Sequence, residues 1–412
     1  MDHQSLTPTP IATKPYWTPG VAALALLALN GIGFLAARLL FGIGSVTNLS
    51  NQHPWGIWIG VDVAGGVALA AGGFTTAALG HVMHREKYHA LVRPALLTAM
   101  LGYTFVAFGV CMDVGRWYYI WHPIFMWNGS SALFEVGICV TIYLNVLYIE
   151  FLPVVAERFI GRVDLPGPLA RRNGPLDRGL RALDRGLSST MFVFIIAGVV
   201  LSTLHQSSLG TLMVIAGPKM HPLWQTPILP LLFLLSAIAV GLPMVIFESL
   251  LAARSLGLKP EMPLLSDLGR MTAPLIGIYL AFKIGDMVVR ETFVHLTVLD
   301  SASVMFMLEI GILMLALRML LSPGVLKSPL LLFIAAALVV AGVLVNRIDN
   351  FVIAFTPPYQ FKPYRPSFGE ISVTVGFISL LVLLYRAAVM IFPVISLPDR
   401  TRAPRNKYAV RG

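Results

Sequence analysis

Cysteine is nearly absent. The 412-residue chain has only Cys111 and Cys139, in no C-x-x-C spacing. An iron–sulfur cluster draws on about four thiolates, so the chain holds none by itself. The two cysteines read as small apolar residues in helices. Charge is scarce too, at 12% of residues against 57% hydrophobic, whereas a soluble domain carries roughly a quarter charged residues. That deficit excludes a sizeable soluble domain. The first 16 residues are polar and proline-rich, without the charged start and small-residue cleavage site of a signal peptide, so the first span is expected to be retained. No internal repeat is legible. No basic–aromatic motif offers nucleic acid a surface.

What is present is a series of apolar windows, each near the 20 or so residues a bilayer crossing needs. Ten occur, at 17–41, 57–81, 92–113, 131–155, 189–215, 226–252, 271–291, 302–321, 328–347 and 370–394. The fold class is therefore all-α, a polytopic membrane protein of about ten transmembrane helices. The net charge of +10 is a topology signal. With the N-terminus inside, inner segments hold Lys14, Arg85, Lys87, Arg93, Arg254, Lys259, Arg270, Arg318, Lys327 and Arg386. The same side takes a loop with seven arginines after the fourth span, and Arg400, Arg402, Arg405, Lys407 and Arg411. Outer loops keep Arg116, Lys219, Arg290, Lys362 and Arg365. This is the positive-inside bias. It places both termini in the cytoplasm, with a tail at 1–16, a helical bundle at 17–394, a basic loop at 156–188 and a basic tail at 395–412.

Histidine is thinly spread. Of His3, His53, His81, His84, His89, His122, His205, His221 and His295, only His205 sits well within an apolar span. A haem between two histidines needs paired ligands at similar depth, so a chain without haem is expected. No metal site is expected either.

Charged residues at mid-bilayer cost about 2.5–3.5 kcal/mol even on gentle scales, so those retained are informative. "HPWGIWIGVDVAGG" puts Asp62 a turn or two below the outer surface, followed by small residues that allow close helix approach. "MDVGRW" spaces Asp113 and Arg116 for one helical face. "TLHQSSLGTLM" sets four polar residues, His205 to Ser208, in the outer half of the fifth span. Such a run reads as an irregular turn lining a cavity. Asp62, Asp113, Arg116, His205, Gln206 and Trp58 thus become one candidate pocket, with Trp55, Trp117 and Trp121 about it. The bland alternative is a structural Asp113–Arg116 ion pair and an interfacial tryptophan belt.

The fourth span carries Glu135 and Glu150, about 22 Å apart and roughly 60° different in facing. Tyr103 lies near mid-membrane, with Arg93 and Glu248 towards the cytoplasmic ends. Arg93, Glu248, Tyr103 and Glu135 form a candidate proton ladder, Glu150 being a weaker member. The alternative is that each carboxyl only bonds a neighbouring helix. Lys283 and Asp286 are expected to pair, and Glu309, Arg347 and Asp349 to neutralise one another structurally.

These motifs are recognisable. "NQHPWGIWIGVDVAGG", "LVRPALLTAMLGY", "DVGRWYYIWHP", "SALFEVGICVTIYLNVLYIEF", "TLHQSSLGTLMVIAGPKMHPLWQTPILP" and "GLPMVIFESLL" resemble the integral membrane subunits of hydrogenase-2-type respiratory complexes. Those subunits fall within the wider NrfD-like, polysulfide-reductase-type membrane-anchor family, and the resemblance covers essentially the whole chain. It implies a haem-free subunit of the bacterial inner membrane. There, a [NiFe] hydrogenase of large and small subunits and a ferredoxin-like iron–sulfur subunit pass electrons to menaquinone or ubiquinone as bound substrate. It also implies that Glu135, Tyr103, Arg93 and Glu248 carry protons. Related anchors serve polysulfide, molybdenum and multihaem-cytochrome quinone oxidoreductases. An ion-coupled secondary transporter is the rival from another class, and would show inverted repeats.

Overall fold

The structure is a computed structural model that describes residues 6–11, 15–82, 86–358 and 362–398. His3, Lys14, His84, Arg85 and the tail cations Arg400, Arg402, Arg405, Lys407 and Arg411 lie outside the described residues. Among those described, ten helices are long and apolar enough to cross a membrane. They are α1 (Pro19–Phe41), α2 (Trp58–Gly80), α3 (His89–Asp113), α4 (Ala132–Phe159) and α5 (Asn173–Ala216). The second five are α6 (Leu229–Leu256), α7 (Met262–Val289), α8 (Ser301–Leu320), α9 (Pro329–Ile348) and α10 (Phe368–Ile391). Each matches one apolar window, and the chain is a multi-pass integral membrane protein.

Local chemistry sets the helix ends. Thr18, Ser131, Asp300 and Ser328 each accept a first-turn backbone N–H at α1, α4, α8 and α9. Ser367 and Glu370 close a reciprocal capping box at α10. Gly257 ends α6 in the left-handed region, where a side chain would be strained.

One segment departs from its sequence reading. Residues 173–188 of the expected basic loop are helical and extend α5 to 44 residues, about 66 Å long against a hydrocarbon core of about 30 Å. Leucines 176, 180, 183 and 187 recur at helical spacing, and Arg181 pairs with Asp177 one turn away at 2.8 Å. The arginines between them hid that period.

Packing divides the long helices into two groups of four. Helices α2 to α5 pack around one another, as do α6 to α9, and the groups meet where α2 touches α6 and α9 and where α5 touches α6. In α2, 78% of the most apolar window is buried, against 17% in α1 and α5; α2 is the central post. Its glycines permit this. A Cβ on Gly72 would meet the Gly241 carbonyl at 3.1 Å, and one on Gly66 would meet Val106 at 2.9 Å. α2 is also wound loosely, with π-helical turns at Trp58–Gly65 and Ala78–Val82.

Outside both groups, α1 pairs with α10, and α10 leans on α3. Strand β1 (Leu6–Thr9) runs antiparallel to β2 (Ile395–Pro398), with Thr9 opposite Ile395. The two segments expected as separate tails are therefore joined over one end of the bundle, here called the sheet end; the opposite end is the far end.

The α1–α10 crossing gives a direct test. A Cβ on Gly31 would lie 2.8 Å from the Gly376 Cα, whereas nothing lies within 4 Å of one on Gly33. Gly31→Leu is expected to lower the thermal midpoint of the purified protein, at a cost of about 1–3 kcal/mol. Gly33→Leu is expected to leave it unchanged.

Candidate functional site

The fifth-span polar run is not an irregular turn. α5 continues unbroken through His205, Gln206, Ser207 and Ser208, so these four side chains point in different directions. Ser202 and His205 lie three residues apart on one face, turned into the α2–α5 group. His205 is fully buried and neither ring nitrogen has a hydrogen-bond partner; the hydroxyls of Ser202 and Tyr103 are likewise buried, near enough to each other to interact but in no well-formed hydrogen bond. The Tyr103 ring lies 5.7 Å from that of His205 and 4.4 Å, edge-on, from that of Tyr143. Gln206 turns to α2 and donates from Nε2 to the Val67 carbonyl at 2.7 Å, its own Oε1 unpartnered. Ser208 donates to Glu135 Oε1 at 2.5 Å. Glu135 itself lies exposed on α4 near the far end.

The single pocket expected from sequence divides in two. Asp62 faces away from His205 and accepts from Thr374 of α10 at 2.7 Å. Trp58 is buried and donates from its indole to the Glu370 carbonyl at 3.1 Å. It belongs to the bundle, not to an interfacial belt. Asp113 ends α3, where the backbone turns extended at Val114, so the helical spacing to Arg116 is lost. Arg116 is exposed and joins neither group. Arg38, buried in α1, stands in its place beside Asp113, donating to the carbonyls of Met112 at 2.7 Å and Val114 at 2.6 Å. Glu370 is fully buried and accepts from Tyr364, the Asn48 amide and the Ser367 amide. Arg38 and Glu370 were missed, although "AARLLF" and "SFGEIS" carry each as a lone charge in an apolar setting.

At the sheet end Arg93 is committed to other partners. It donates to the Pro393 carbonyl at 2.9 Å and pairs with Glu157 at 2.8 Å. Glu248 is buried with Oε1 unpartnered, near Thr98 and Tyr385. Glu150, set low in the sequence reading, lines a narrow cavity with Tyr143 and Gly198. A Cβ on Gly198 would lie 2.8 Å from the Glu150 carboxylate, so the glycine makes room for the acid.

In the second group Lys283 pairs with Glu309, not with Asp286, donating to both carboxylate oxygens at 2.5 Å. Asp286 instead takes Arg290 at 2.7 Å and Thr226 at 2.8 Å. Arg347 and Asp349 do not bond each other. Arg347 lies over the Phe233 ring at 3.8 Å and donates to Ser236 at 2.9 Å. Sequence spacing pointed Lys283 along its own helix, whereas it pairs across to Glu309 on another.

Residues 45–355 match the family described as "Polysulphide reductase, NrfD". The chain belongs to that family. It is 33% identical to the "Probable Ni/Fe-hydrogenase 2 b-type cytochrome subunit" of Escherichia coli, over 91% of each chain. It is 24% identical to the "Menaquinone reductase, integral membrane subunit" of Nitratidesulfovibrio vulgaris, over 88% of this chain and 89% of the other. A selenate reductase subunit of Mesobacillus selenatarsenatis is also 24% identical, over 92% of this chain and 94% of the other.

The Escherichia coli name corrects one expectation. A b-type cytochrome is a haem protein, so the reading of this chain as free of haem is withdrawn. The sequence argument failed because it asked for two histidine ligands at one depth. On the donors present, His205 is the residue that could hold haem iron, being buried with both ring nitrogens unbonded; no second span histidine stands beside it among the described residues.

The buried Lys283–Glu309 pair is open to test. Lys283→Met is expected to destabilise the protein by about 3–5 kcal/mol by leaving a carboxylate unpaired. Adding Glu309→Leu is expected to restore most of that loss in a double-mutant denaturation cycle.

Proposed function

We propose that the chain is the quinone-reactive membrane subunit of an electron-transfer complex. Partner iron–sulfur clusters would feed it electrons at the far end, and a quinone would be reduced in the α2–α5 group beside His205. The observation that carries this is the set of unbonded polar atoms on His205, Tyr103 and Ser202, all inside the bundle. A quinone offers two carbonyl oxygens on an apolar ring, and these are acceptors for such donors. Gln206 borders the site, and Trp58, Asp62 and Asp113 flank it across α2 and α3. The names of the relatives support this reading: one is a hydrogenase 2 subunit, another a menaquinone reductase subunit. A [NiFe] hydrogenase with an iron–sulfur subunit is therefore the proposed partner, and menaquinone or ubiquinone the proposed substrate.

Reduction of a quinone to its quinol consumes two electrons and two protons. With the sheet end in the cytoplasm, as the arginine bias implies, protons would enter near Arg93 and pass Glu248 and Tyr103 towards Glu135. A carboxyl within the bundle, as at Glu248, can bind a proton and pass it on. Glu150 joins this route through Tyr143, whose ring touches that of Tyr103. Protons taken from the cytoplasm for electrons delivered at the far end would make the reaction electrogenic.

A second reading has the same chemistry with another catalytic partner, favoured by the selenate reductase relative. Co-purification of a nickel–iron or a molybdopterin subunit separates the two.

Glu135→Gln is expected to bind a quinone analogue normally while donor-driven quinone reduction falls about 100-fold, the scale of a lost proton-transfer group. Full activity in that variant removes Glu135 from the route. His205→Ala is expected to weaken analogue binding by about tenfold or more, equal to about 1.4 kcal/mol. Unchanged binding displaces the site.

A further inference from the structure

Quinone reduction as proposed leaves one group of buried charges without a task. It lies in the far half of the α6–α9 group, where α9 ends in a π-wound turn, Asp349–Ile353. Glu309 of α8 accepts from Lys283 and from Tyr279, the latter at 3.0 Å, both on α7, and from Asn346 of α9 at 3.2 Å. Arg347 is held by Asn346, Ser236 and the Phe233 carbonyl, its Nε unbonded. Asp349 and Asn350 follow, both fully buried. Neither carboxylate oxygen of Asp349 has a partner, nor has Asn350 Oδ1.

Two facts set these residues apart from a finished structural network. The first is charge. Lys283 and Arg347 are cationic and Glu309 is matched, so the group is neutral with Asp349 ionised and carries one positive charge with Asp349 protonated. Both states are tolerable, and they differ by one proton. The second is the empty hydrogen-bonding capacity. A carboxylate without donors is among the costliest groups to bury, so Asp349 must hold a proton, meet water, or alternate between the two.

Water has a way in. A cavity lined by Thr226, Lys283, Asp286 and Asn346, with room for about one water molecule, lies between the Asp286–Arg290 pair and the buried group. Asp286 is 11% exposed at its side chain and Arg290 21%, so this pair reaches the surface of the bundle. On the other side α2 brings backbone rather than charge: a Cβ on Gly60 would sit 3.6 Å from the Ile348 Cα and 3.7 Å from the Arg347 carbonyl.

We propose that Asp349 is a proton-binding site served by water from the far end through the Asp286 cavity. Tyr279, Lys283, Glu309 and Arg347 are the titratable and charged neighbours that hold it poised. The step is simple: the carboxylate takes a proton from hydrated hydronium, leaving water, and returns it by the same path. A metal cation is the poorer ligand, because Lys283 and Arg347 already supply two positive charges. The site does not depend on the quinone reading, since its test involves no electron donor.

The test is infrared difference spectroscopy on the full chain in lipid, with pH stepped in light and heavy water. The wild type is expected to show a protonated-carboxyl band that titrates and shifts on deuterium exchange. Asp349→Asn is expected to lose that band, and Asp349→Glu to recover it at a displaced frequency. Glu309→Gln is expected to keep the band while moving its titration, which also guards against misfolding of a single variant. Asp286→Asn is expected to slow the exchange without reducing the band. A band that survives Asp349→Asn, a carboxyl that never exchanges with heavy water, or a band that responds to sodium at fixed pH overturns the proposal.

Discussion

Lipid offers a buried polar group no hydrogen-bond partner, so each donor and acceptor in the bundle must be met by protein, water or ligand. Most of this chain obeys that constraint visibly. Trp58, Gln206, Lys283, Arg38 and Glu370 each find a partner on another helix or a neighbouring loop. Among the exceptions, single atoms of Asp113, Gln206, Trp224, Glu248 and Glu261 are scattered, whereas two sets are clustered: Tyr103, Ser202 and His205 in one half, Arg347, Asp349 and Asn350 in the other. Clustering of unmet capacity in these two places is the physical ground for assigning them work.

The architecture makes both places possible. α2 stands between the halves because it is built from glycine and alanine, and neighbours approach it closely at Gly66 and Gly72. Its loosened winding at Trp58–Gly65 turns Asp62 to α10, while Val67, just below, serves Gln206 on the other side. One helix thereby separates an acidic layer from a cluster of tyrosine and histidine.

The ten spans and the fold class were legible because bilayer thickness imposes a length and composition that a sequence cannot disguise. His205, Tyr103 and Glu248 were legible for a related reason: polar residues in apolar windows stand out. Partnerships were not. Lys283 was assigned to Asp286 and Arg116 to Asp113 because helical spacing reports neighbours along one helix, whereas in the fold Lys283 turns to Glu309 on another helix and the end of α3 turns Arg116 away. The helical character of residues 173–188 was masked by arginine, and the division of the expected pocket followed from α2 facing two ways. Membership of the NrfD family agrees with the resemblance carried by the motifs. The absence of haem was inferred from the lack of two histidines at one depth, an argument too weak to stand against the cytochrome name of a relative.

The central claim is that the buried polar cluster around His205 receives a quinone headgroup. Photolabelling of the intact complex with a photoreactive quinone, followed by peptide mapping, addresses it most directly. The account predicts labels on the α5 segment holding Ser202 and His205 and on the α3 segment holding Tyr103, both abolished by excess unlabelled quinone. Competable labelling confined to α7–α9, or to the α1–α10 pair, contradicts it.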